Sequence, residues 1–386
     1  MRPIPYDVVF QIISHVDPCD ATTLHACSLT HSSWTLDAHR RRFHTVEIRN
    51  REDMRRWDEF EEKDRLIPYV RHLIYSGDKG NPLGPRDFFE AYGGQFQSFE
   101  NLHTLEMRHM ALGSFDLDLF RLAFGHLGKT LQALLISDAT LTLNKFLELL
   151  TIFPRLQSLG LDRFTISREY LQFPSELPLF RGTLNLSGPV NKYSLRFIED
   201  LTRTLPNFSS VRLRLNLGYQ ATRYLLEIPG LANHVTTMLL GYQDGEPGLL
   251  LGISRNETNC GADVPEIVDL SLCRNLRMLS IRTQGCTDRA VTSLAIQERF
   301  FQQLKSIISR ELEFLVVEMG PGLSLMRYSA WGHFFSALSV LQASSERLSV
   351  VVRPLERFMA EKFKKGETLS RFLGVDIRMS RSRVVC

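Results

Sequence analysis

Histidines near the start of this chain are the residues whose number and closeness first suggest chemistry. Imidazole nitrogens bind zinc when several ligands lie on one face at short spacing. His15 and His25 fall on different predicted helices, and no Cys-x-x-Cys pair joins them. The sequence therefore predicts no metal site at these positions. The histidines in question are His15, His25, His31, His39 and His44.

Motifs that hold phosphate or build a hydrolytic centre are not found in the sequence. It has no GxxxxGK[ST] or GxGxxG loop, no HExxH metal motif and no GxSxG nucleophile turn. Basic residues at 40–42 and 49–56 are offset by acidic neighbours, and a nucleic-acid interface needs a larger basic surface with stacking aromatic residues. We therefore expect a non-catalytic protein with no cofactor, no metal and no nucleic-acid partner.

The composition indicates a globular protein of a reducing compartment. The 386 residues, 44% of them hydrophobic, suffice for one elongated domain or two compact ones. A net charge of +3 argues against bulk nucleic acid or an anionic membrane as partner. The six cysteines are sparse and form no close pair, which favours the cytoplasm or nucleus over a disulfide scaffold. With no long apolar run and no signal peptide, we expect no membrane partner.

A unit of the form apolar-x-x-apolar-x-apolar recurs along most of the chain. Clear copies are LHTLEM at 102–107, LQALLI at 131–136 and LQSLGL at 156–161. Most consecutive copies end about 25 to 29 residues apart, within the range of leucine-rich repeats. One unit cannot bury its own apolar face, so the units must stack. The other copies, some degenerate, are FHTVEI, VRHLIY, RGTLNL, FSSVRL, VTTMLL, LRMLSI, LEFLVV, SVVV and FLGVDI.

Helix-like segments lie between these strands, for example TLNKFLELL at 142–150 and YSLRFIEDL at 193–201. Strands that alternate with helices at this period predict an α/β, leucine-rich-repeat-like solenoid over residues 45–386. A loop rich in turn-forming residues is expected as an insertion around 241–275.

The strict leucine-rich consensus places Asn or Cys three residues after the last leucine. This chain mostly departs from it, so we expect no continuous ladder of buried amides and an irregular solenoid. The residues at these positions are Met110, Ala139, Phe164, Pro189 and Asn216.

Strand residues between the apolar positions would form the concave surface of such a solenoid. Several are charged, and we take them as candidate contacts for a protein substrate; the alternative is that they are ordinary solvated positions. Leu135, Leu239 and Val316 occupy similar sites but are apolar, which indicates either contact points or a surface covered by the inserted loop. The charged candidates are Glu106, Arg108, Asp162, Arg212, Arg214, Arg282 and Glu318.

Residues 1–44 have a separate, helical pattern. Pro5 suits the first turn of a helix, and aliphatic residues at 8, 9, 12, 13 and 16 share one of its faces. A second helical run begins near Ala21 and extends to roughly Phe43, so two or three short helices are predicted. About 40 residues are too few to close a core alone. The expected buried positions of the second run are Leu24, Cys27, Leu29, Trp34 and Leu36.

This stretch resembles an F-box over about residues 3–44. The apolar–proline pair Ile4-Pro5 is followed by Asp7 and by aliphatic pairs on one helix face. The order H-A-C-S-L-T-H-S-S-W that ends at Trp34 is similar to that of many F-box-like proteins of mushroom-forming fungi. The chain departs from the family pattern at Ile4 and Val16, where leucine is usual, and at Asp7, where glutamate is usual.

An F-box binds the small Skp adaptor of a cullin–RING ubiquitin ligase, and the repeats that follow hold the substrate. The resemblance thus implies a substrate receptor whose first helices dock on that adaptor in a helix-in-groove mode. The alternative is a ligase-independent repeat scaffold in which a degenerate F-box only caps the first repeat. The adaptor contacts expected from the resemblance are Ile4, Pro5, Val8, Val9, Ile12, Ile13, Val16, Leu24 and Leu29.

Overall fold

The computed structural model has an α/β fold, as the repeat pattern predicts: three N-terminal helices, then parallel strands that alternate with helices. The chain divides into two compact units, Met1–Gly182 and Thr183–Cys386. The residues that the structure describes are 5–17, 20–61, 63–77, 85–110, 116–166, 180–188, 192–205, 207–215, 219–242, 268–283, 302–319, 328–345, 347–354 and 377–379.

Three short helices open the first unit: α1 (Tyr6–His15), α2 (Ala21–Thr30) and α3 (Ser32–Arg42). Pro5 precedes α1 directly, with a φ of −56° that suits a helix start. Asp20 caps α2 by accepting a hydrogen bond of 3.0 Å from the Thr23 N–H. We call residues 5–17 and 20–44 the three-helix module.

The second helical run is divided at His31, where the sequence suggested continuity to Phe43. The backbone of His31 is extended, with φ −161° and ψ 147°. The core of the three-helix module consists of Val9, Ile13, Leu24 and Ala38, with Val16, Cys27 and Trp34 packed against it.

The prediction that Leu29 and Leu36 are buried is wrong. Leu29 is 73% exposed and Leu36 is 42% exposed. Helices α2 and α3 contribute Leu24 and Ala38 to the shared core, and a short helix has only one face to bury. Cys27 and Trp34 pack beside that core, whereas Leu29 and Leu36 face solvent.

The rest of the first unit is a repeating series of strands and helices. Strands β1, β2, β3, β4 and β6 pair in that order, all parallel, and the short strands β5 and β7 pair with each other. The bounds are β1 (Thr45–Ile48), α4 (Arg51–Glu59), α5 (Lys63–Leu66), β2 (His72–Ser76), α6 (Pro85–Phe96), β3 (Thr104–Arg108), α7 (Leu117–Phe124), β4 (Ala133–Ser137), β5 (Thr140–Leu141), α8 (Leu143–Ile152), β6 (Ser158–Asp162) and β7 (Thr165–Ile166).

The strands of the first unit bury one face, and most positions on the other face are partly open; Ile74 of β2 and Gly160 of β6 are buried there as well. In β3, for example, Leu105 and Met107 are fully buried, whereas Thr104, Glu106 and Arg108 are not. The period of two follows from the pleat of a strand. We call the row of partly exposed strand positions the open face.

Phenylalanine rings fill the space between α6 and α7. The rings of Phe96 and Phe124 lie 4.9 Å apart, and those of Phe120 and Phe124 lie 4.8 Å apart. All three are almost completely buried. Aromatic contacts at this spacing add to the area term of burial, so this cluster is structural.

A left-handed residue ends three successive strands of the first unit. His109, Asp138 and Arg163 follow β3, β4 and β6 directly and have φ values of 54°, 50° and 46°. Neighbouring corners are tied by backbone bonds, since His109 N–H donates to Ser137 and Asp138 N–H donates to Asp162, each at 3.0 Å.

The residues after these corners occupy the positions where the leucine-rich consensus has a buried amide. Met110, Ala139 and Phe164 are each at most 3% exposed. Apolar side chains of different size therefore take the place of the amide ladder here, as the sequence indicated. Pro189 and Asn216 lie outside the described residues.

The second unit continues the same order of elements. Its strands pair in sequence, each parallel to the next. The bounds are β8 (Thr183–Gly188), α9 (Lys192–Thr204), β9 (Ser210–Leu215), α10 (Tyr219–Glu227), α11 (Leu231–His234), β10 (Val235–Tyr242), β11 (Met278–Thr283), β12 (Phe314–Met319), α12 (Tyr328–Ser344), β13 (Ser349–Pro354) and β14 (Ile377–Met379).

Buried serine hydroxyls satisfy backbone carbonyls between repeats of the second unit. Ser309 Oγ donates to the carbonyls of Arg274 and Leu276, both at 2.8 Å, and Ser345 Oγ donates to that of Leu312 at 2.6 Å. Buried carbonyls need such partners.

The predicted insertion at 241–275 is only partly described. Strand β10 extends to Tyr242, and a 3-10 turn spans Leu270–Leu272. The intervening 243–267 lie outside the described residues. Over the part of the chain that the structure covers, no helix is both long and apolar enough to cross a bilayer.

Candidate functional site

Large apolar side chains are exposed on the three-helix module although its own core is closed. They come from all three helices, and two of them, Leu29 and Tyr6, are 73% and 56% exposed. Clustered exposure of this kind is typical of an interaction surface. We call them the exposed apolar set: Tyr6, Val8, Phe10, Ile12, Leu29 and Leu36.

The exposed apolar set on α1 lies on both sides of the buried stripe. Residues four apart lie above one another on a helix, so Val8 stands over Ile12 on one flank and Tyr6 over Phe10 on the other. The stripe between the two flanks is Val9 and Ile13, which pack into the module core. The apolar surface of α1 is thus wider than its own module can cover.

The predicted adaptor contacts divide into two groups. Val9, Ile13 and Leu24 are at most 2% exposed and belong to the core of the module, so another molecule cannot contact them directly. Val8, Ile12 and Leu29 are exposed and can be touched by another molecule. Pro5 is exposed and Val16 is partly buried against the core, while Ile4 lies outside the described residues.

Polar contacts fix α1 against α3. The Tyr6 hydroxyl hydrogen-bonds the buried carboxylate of Asp37, which raises the pKa of Tyr6. Arg41 Nε donates to the carbonyl of Val16 at 3.1 Å, just beyond the end of α1. The exposed apolar set is therefore presented by helices whose relative positions are held at both ends of α1.

The C-terminal end of α3 also contacts the first repeat. The guanidinium of Arg40 lies 5.7 Å from the centre of the Tyr69 ring, a cation–π distance. Phe43 continues the chain from α3 towards β1, with its N–H donating to His39 at 2.8 Å. The module thus covers the start of the repeats with α3 while α1 and α2 carry most of the exposed apolar set.

The open face of the first unit carries a connected row of charges. Arg49 pairs with Glu47 at 2.7 Å, and Arg108 approaches Glu47 at 3.7 Å and Glu106 at 2.6 Å. His72 Nε2 lies 3.3 Å from Glu106 Oε2. Arg49 and Arg108 thus pair with Glu47 and Glu106, so these two carboxylates are neutralised within the row.

Glu106 is the most strongly perturbed carboxylate of that row. The contact with His72 and then the hydrogen bond from Arg108 lower the pKa of Glu106 to about 2, although partial burial opposes them. The carboxylate is therefore ionised at every physiological pH. An acid that never protonates cannot act as a general acid, so Glu106 is suited to ion pairing.

The remaining substrate candidates fall into both units. Asp162, on the first unit, pairs with Arg163 at 3.3 Å. Arg212, on β9 of the second unit, is exposed and stands opposite Asn185 of β8. Arg214, Arg282 and Glu318 occupy β9, β11 and β12, with Arg282 and Glu318 in register, and their side chains lie outside what the structure describes.

Leu135 lies on the open face, where its neighbour on the next strand has no side chain. It is in register with Gly160, and a Cβ at Gly160 would come within 2.5 Å of Leu135 Cδ2. Leu135 therefore lies across the glycine. Leu239 is partly exposed on β10, whereas Val316 on β12 is buried.

A depression of about 430 Å³ lies beside β1. Its lining includes the aromatic residues Phe43, Trp57 and Phe60 and the charged residues Arg49 and Asp53. The Asp53 carboxylate accepts from the Arg49 N–H at 3.1 Å. Its lining has no nucleophile beside a base, which hydrolytic catalysis would require.

The histidines of the three-helix module do not converge. Over the described ranges no three residues among His, Cys, Asp and Glu are grouped as metal ligands would be. His15 instead contacts the carbonyl of Gln11 in its own helix at 2.8 Å.

Two features of the first unit were missed by reasoning from the sequence. The corners at His109, Asp138 and Arg163 differ in residue type, so no glycine or asparagine pattern marked them. The contact of His72 with Glu106 joins residues far apart in the chain. Aligning the repeats places the three corner residues at equivalent positions, whereas His72 is in register with Thr104 and reaches Glu106 diagonally.

The fold and its surfaces define a class: an α/β repeat protein with an N-terminal three-helix module. A comparison of the chain with protein-family models found no match, and a search among curated proteins found none either.

Proposed function

We propose that this chain is a non-catalytic substrate receptor of a Skp–cullin–F-box type ubiquitin ligase. In this proposal the three-helix module docks on a Skp-type adaptor and the repeats hold a protein substrate, in the cytoplasm or nucleus. The observation that carries it is the exposed apolar set, which remains uncovered after the module has closed its own core. The resemblance of residues 3–44 to an F-box supplies the identity of the partner.

The physical argument concerns where the apolar area of α1 lies. Val8 and Ile12 are exposed on one flank, and burial of each would contribute on the order of 1–2 kcal/mol. Contacts of this size from several side chains offset the cost of association, which is about 4–15 kcal/mol. The open face of the first unit would then hold the substrate through its partly exposed strand side chains.

Co-expression of the full chain with a Skp-type adaptor, followed by size-exclusion chromatography, tests the proposal. We expect a stable one-to-one complex. Replacing Val8 and Ile12 together by aspartate should abolish co-elution, because two charges would be buried at the interface. Both residues are exposed in the free chain, so the variant should keep its circular dichroism spectrum.

A matched control places the same two charges on the polar face of α1. Gln11→Asp with Ser14→Asp alters exposed residues outside the apolar flanks. This variant should bind the adaptor as the wild type does. If the wild-type chain elutes alone while folded, the adaptor assignment is lost.

The second candidate is a ligase-independent repeat scaffold with the module as an N-terminal cap. The contact of Arg40 with Tyr69 favours it, because α3 does cover the start of the repeats. The two functions differ in what deletion of residues 1–44 does. A pure cap predicts unfolding of the first repeats, whereas a docking module predicts loss of adaptor binding with the repeats still folded.

A further inference from the structure

The first strand of the sheet has one edge that no described strand covers. β1 pairs with β2 alone among the described strands, in parallel orientation. The carbonyl of His44, directly before β1, accepts from the N–H of His72 on β2 at 3.0 Å. Alternate residues of a strand bond to the same neighbour, so the backbone groups of Val46 also face β2. Those of Thr45 and Glu47 face the other way.

The N–H groups at the two ends of this edge are already bonded within the chain. Phe43 N–H donates back into α3 at 2.8 Å, and Arg49 N–H donates to the Asp53 carboxylate at 3.1 Å. Between these two positions, no described residue bonds the backbone N–H or C=O groups of Thr45 and Glu47. We call these unpaired backbone groups of Thr45 and Glu47 the free edge of β1.

The depression beside β1 runs along the free edge. Four successive residues, 46–49, line it. Successive side chains of a strand point to opposite faces, so a space that all four line lies at the edge of the strand. Trp57 and Phe60 form part of the same lining, and Phe60 is 42% exposed. The chain therefore leaves room for a further strand where the unpaired backbone groups point.

A free edge is a template for pairing with another strand. Proteins protect exposed edges with proline, lysine or a bulge, among other devices. β1 contains no proline or lysine, and its register with β2 is continuous. Two copies of β1 can pair in antiparallel orientation about a two-fold axis, an isologous contact in which each copy offers the same residues. The position of the axis decides which residues meet.

An axis through Val46 matches the unpaired groups of the two copies. It places Thr45 of each copy opposite Glu47 of the other, as a hydrogen-bonded pair in which each unpaired N–H meets an unpaired C=O. Phe43 and Arg49, whose N–H groups are already bonded, then lie opposite each other outside this pairing. The hydrogen-bonding capacity of β1 is thus complementary to itself in one register.

Charge favours the same register. The axis through Val46 places the Glu47 carboxylate opposite a Thr45 hydroxyl, which can donate to it. An axis through Glu47 would instead place two carboxylates directly opposite each other, which is destabilising. An axis through Ile48 would pair Glu47 with Arg49, but it requires the Arg49 N–H, which is already bonded, and leaves Thr45 unpaired.

We propose that the free edge of β1 docks a second copy of this chain, whose own β1 pairs with it in antiparallel orientation about a two-fold axis at Val46. The pairing joins the first units of the two copies through one continuous sheet. It involves no residue of the exposed apolar set, so it goes beyond the function proposed above and does not rest on it. A dimer of this kind carries two docking modules and two sets of repeats.

The molar mass of the full chain at increasing concentration is the first measurement, made by sedimentation velocity. It should rise from that of one chain to that of two. Thr45→Pro removes a donor that faces away from β2 and leaves the bonds to β2 in place, so it should weaken dimerisation about tenfold or more. Thr45→Ser keeps the N–H and the hydroxyl, and this matched control should dimerise as the wild type does.

Cross-linking tests the register independently of the proline variant. The two Val46 residues would form a non-hydrogen-bonded pair with Cα atoms about 4.5 Å apart, within the range of a disulfide. Val46→Cys should therefore give a covalent dimer when oxidised with diamide, beyond any background from the native cysteines of the wild type. Ile48→Cys is the matched control on the same buried face of β1. Its two copies would lie about 13 Å apart along the strands and should not cross-link.

Three outcomes would overturn the proposal. A chain that stays monomeric at every concentration would exclude a second copy as the occupant, with a strand of another protein as the alternative. A dimer that a folded Thr45→Pro variant leaves unchanged would place the contact elsewhere. Equal cross-linking through residues 46 and 48 would contradict the register, and this pair decides if Thr45→Pro loses its circular dichroism spectrum.

The failure of this inference is distinguishable from the failure of the adaptor assignment. Val8→Asp with Ile12→Asp alters the exposed apolar set and no residue of β1. This variant should therefore dimerise as the wild type does, whereas Thr45→Pro should still co-elute with the adaptor. Loss of the dimer in the Val8 and Ile12 variant would assign self-association to the exposed apolar set and overturn pairing through β1.

Discussion

Arg163 holds Asp138 with two parallel hydrogen bonds, Nε to Oδ1 at 2.8 Å and Nη2 to Oδ2 at 2.7 Å. Both residues have left-handed backbones, with φ values of 46° and 50°. The ion pair therefore links the corners at which two successive strands end. Aspartate tolerates this conformation better than most residues because its short polar side chain can bond locally, which makes Asp138 the informative position.

Asp138→Asn should lower the free energy of unfolding by less than about 1 kcal/mol, since it removes an exposed ion pair but keeps a side chain that tolerates positive φ. Asp138→Ala should cost about 1–2 kcal/mol more, because alanine is strained at that φ. Urea unfolding midpoints of the two variants provide the measurement. Equal midpoints would mean that the corner is not strained.

Ile13→Ala should destabilise the three-helix module by roughly 2–4 kcal/mol, because Ile13 is 2% exposed and its loss leaves a cavity. Ile12→Ala, next to it but 43% exposed, should change stability by about 0.5 kcal/mol or less. Hydrogen exchange of peptides within residues 5–43 reports the difference. Similar protection in the two variants would contradict the assignment of Ile13 to the core.

Gly182→Ala should be strongly destabilising, because its Cβ would come within 2.2 Å of the carbonyl oxygen of Gln157, which is backbone and cannot move aside. Gly94→Ala is the matched substitution within α6. No atom lies within 4 Å of the new Cβ at Gly94, so we expect a gain of about 0.5–1 kcal/mol from helix propensity. Thermal unfolding that moved in the same direction for both would contradict this packing.

Lowering the pH should remove the contribution of the Glu106 carboxylate to the free energy of unfolding. The pKa of Glu106 is lowered from 4.5 to about 2, so the carboxylate stabilises the fold at pH values above its unfolded pKa. That contribution, on the order of 2–3 kcal/mol, is lost as the pH falls from about 4.5 through 2. The stability difference between wild type and Glu106→Gln should therefore be large at pH 7 and shrink towards pH 2. A pH-independent difference would show that the ion pair does not cause it.

The strands were predictable from the sequence because their pattern follows directly from backbone geometry. Leu102 and Leu105, for example, are both fully buried, as one apolar face on each stacked unit requires. The helix that follows Thr142 was also predictable from its apolar pattern. Its start is fixed by Thr142, whose hydroxyl accepts a hydrogen bond from the Lys145 N–H.

Features that depend on the partner strand or helix were not predictable in this way. Leu29 and Leu36 have apolar side chains in a helical pattern, and only the packing of three helices decides that they face outward. The same holds for Leu135, whose side chain has room across the next strand only because residue 160 is glycine. The pattern of apolar and polar residues in the sequence predicts the type of element. It does not predict which residues of other elements each side chain contacts.

The buried residues that follow the corners of the first unit have a consequence for how this protein can change over evolution. Met110, Ala139 and Phe164 fill equivalent positions with side chains of very different volume. A repeat duplicated elsewhere in the chain would thus pack against a neighbour whose buried side chain has a different volume. The result would be a cavity or a steric clash. Lineages of this protein should consequently diverge by paired changes at adjacent corners, and duplication or loss of single repeats should be rare among them.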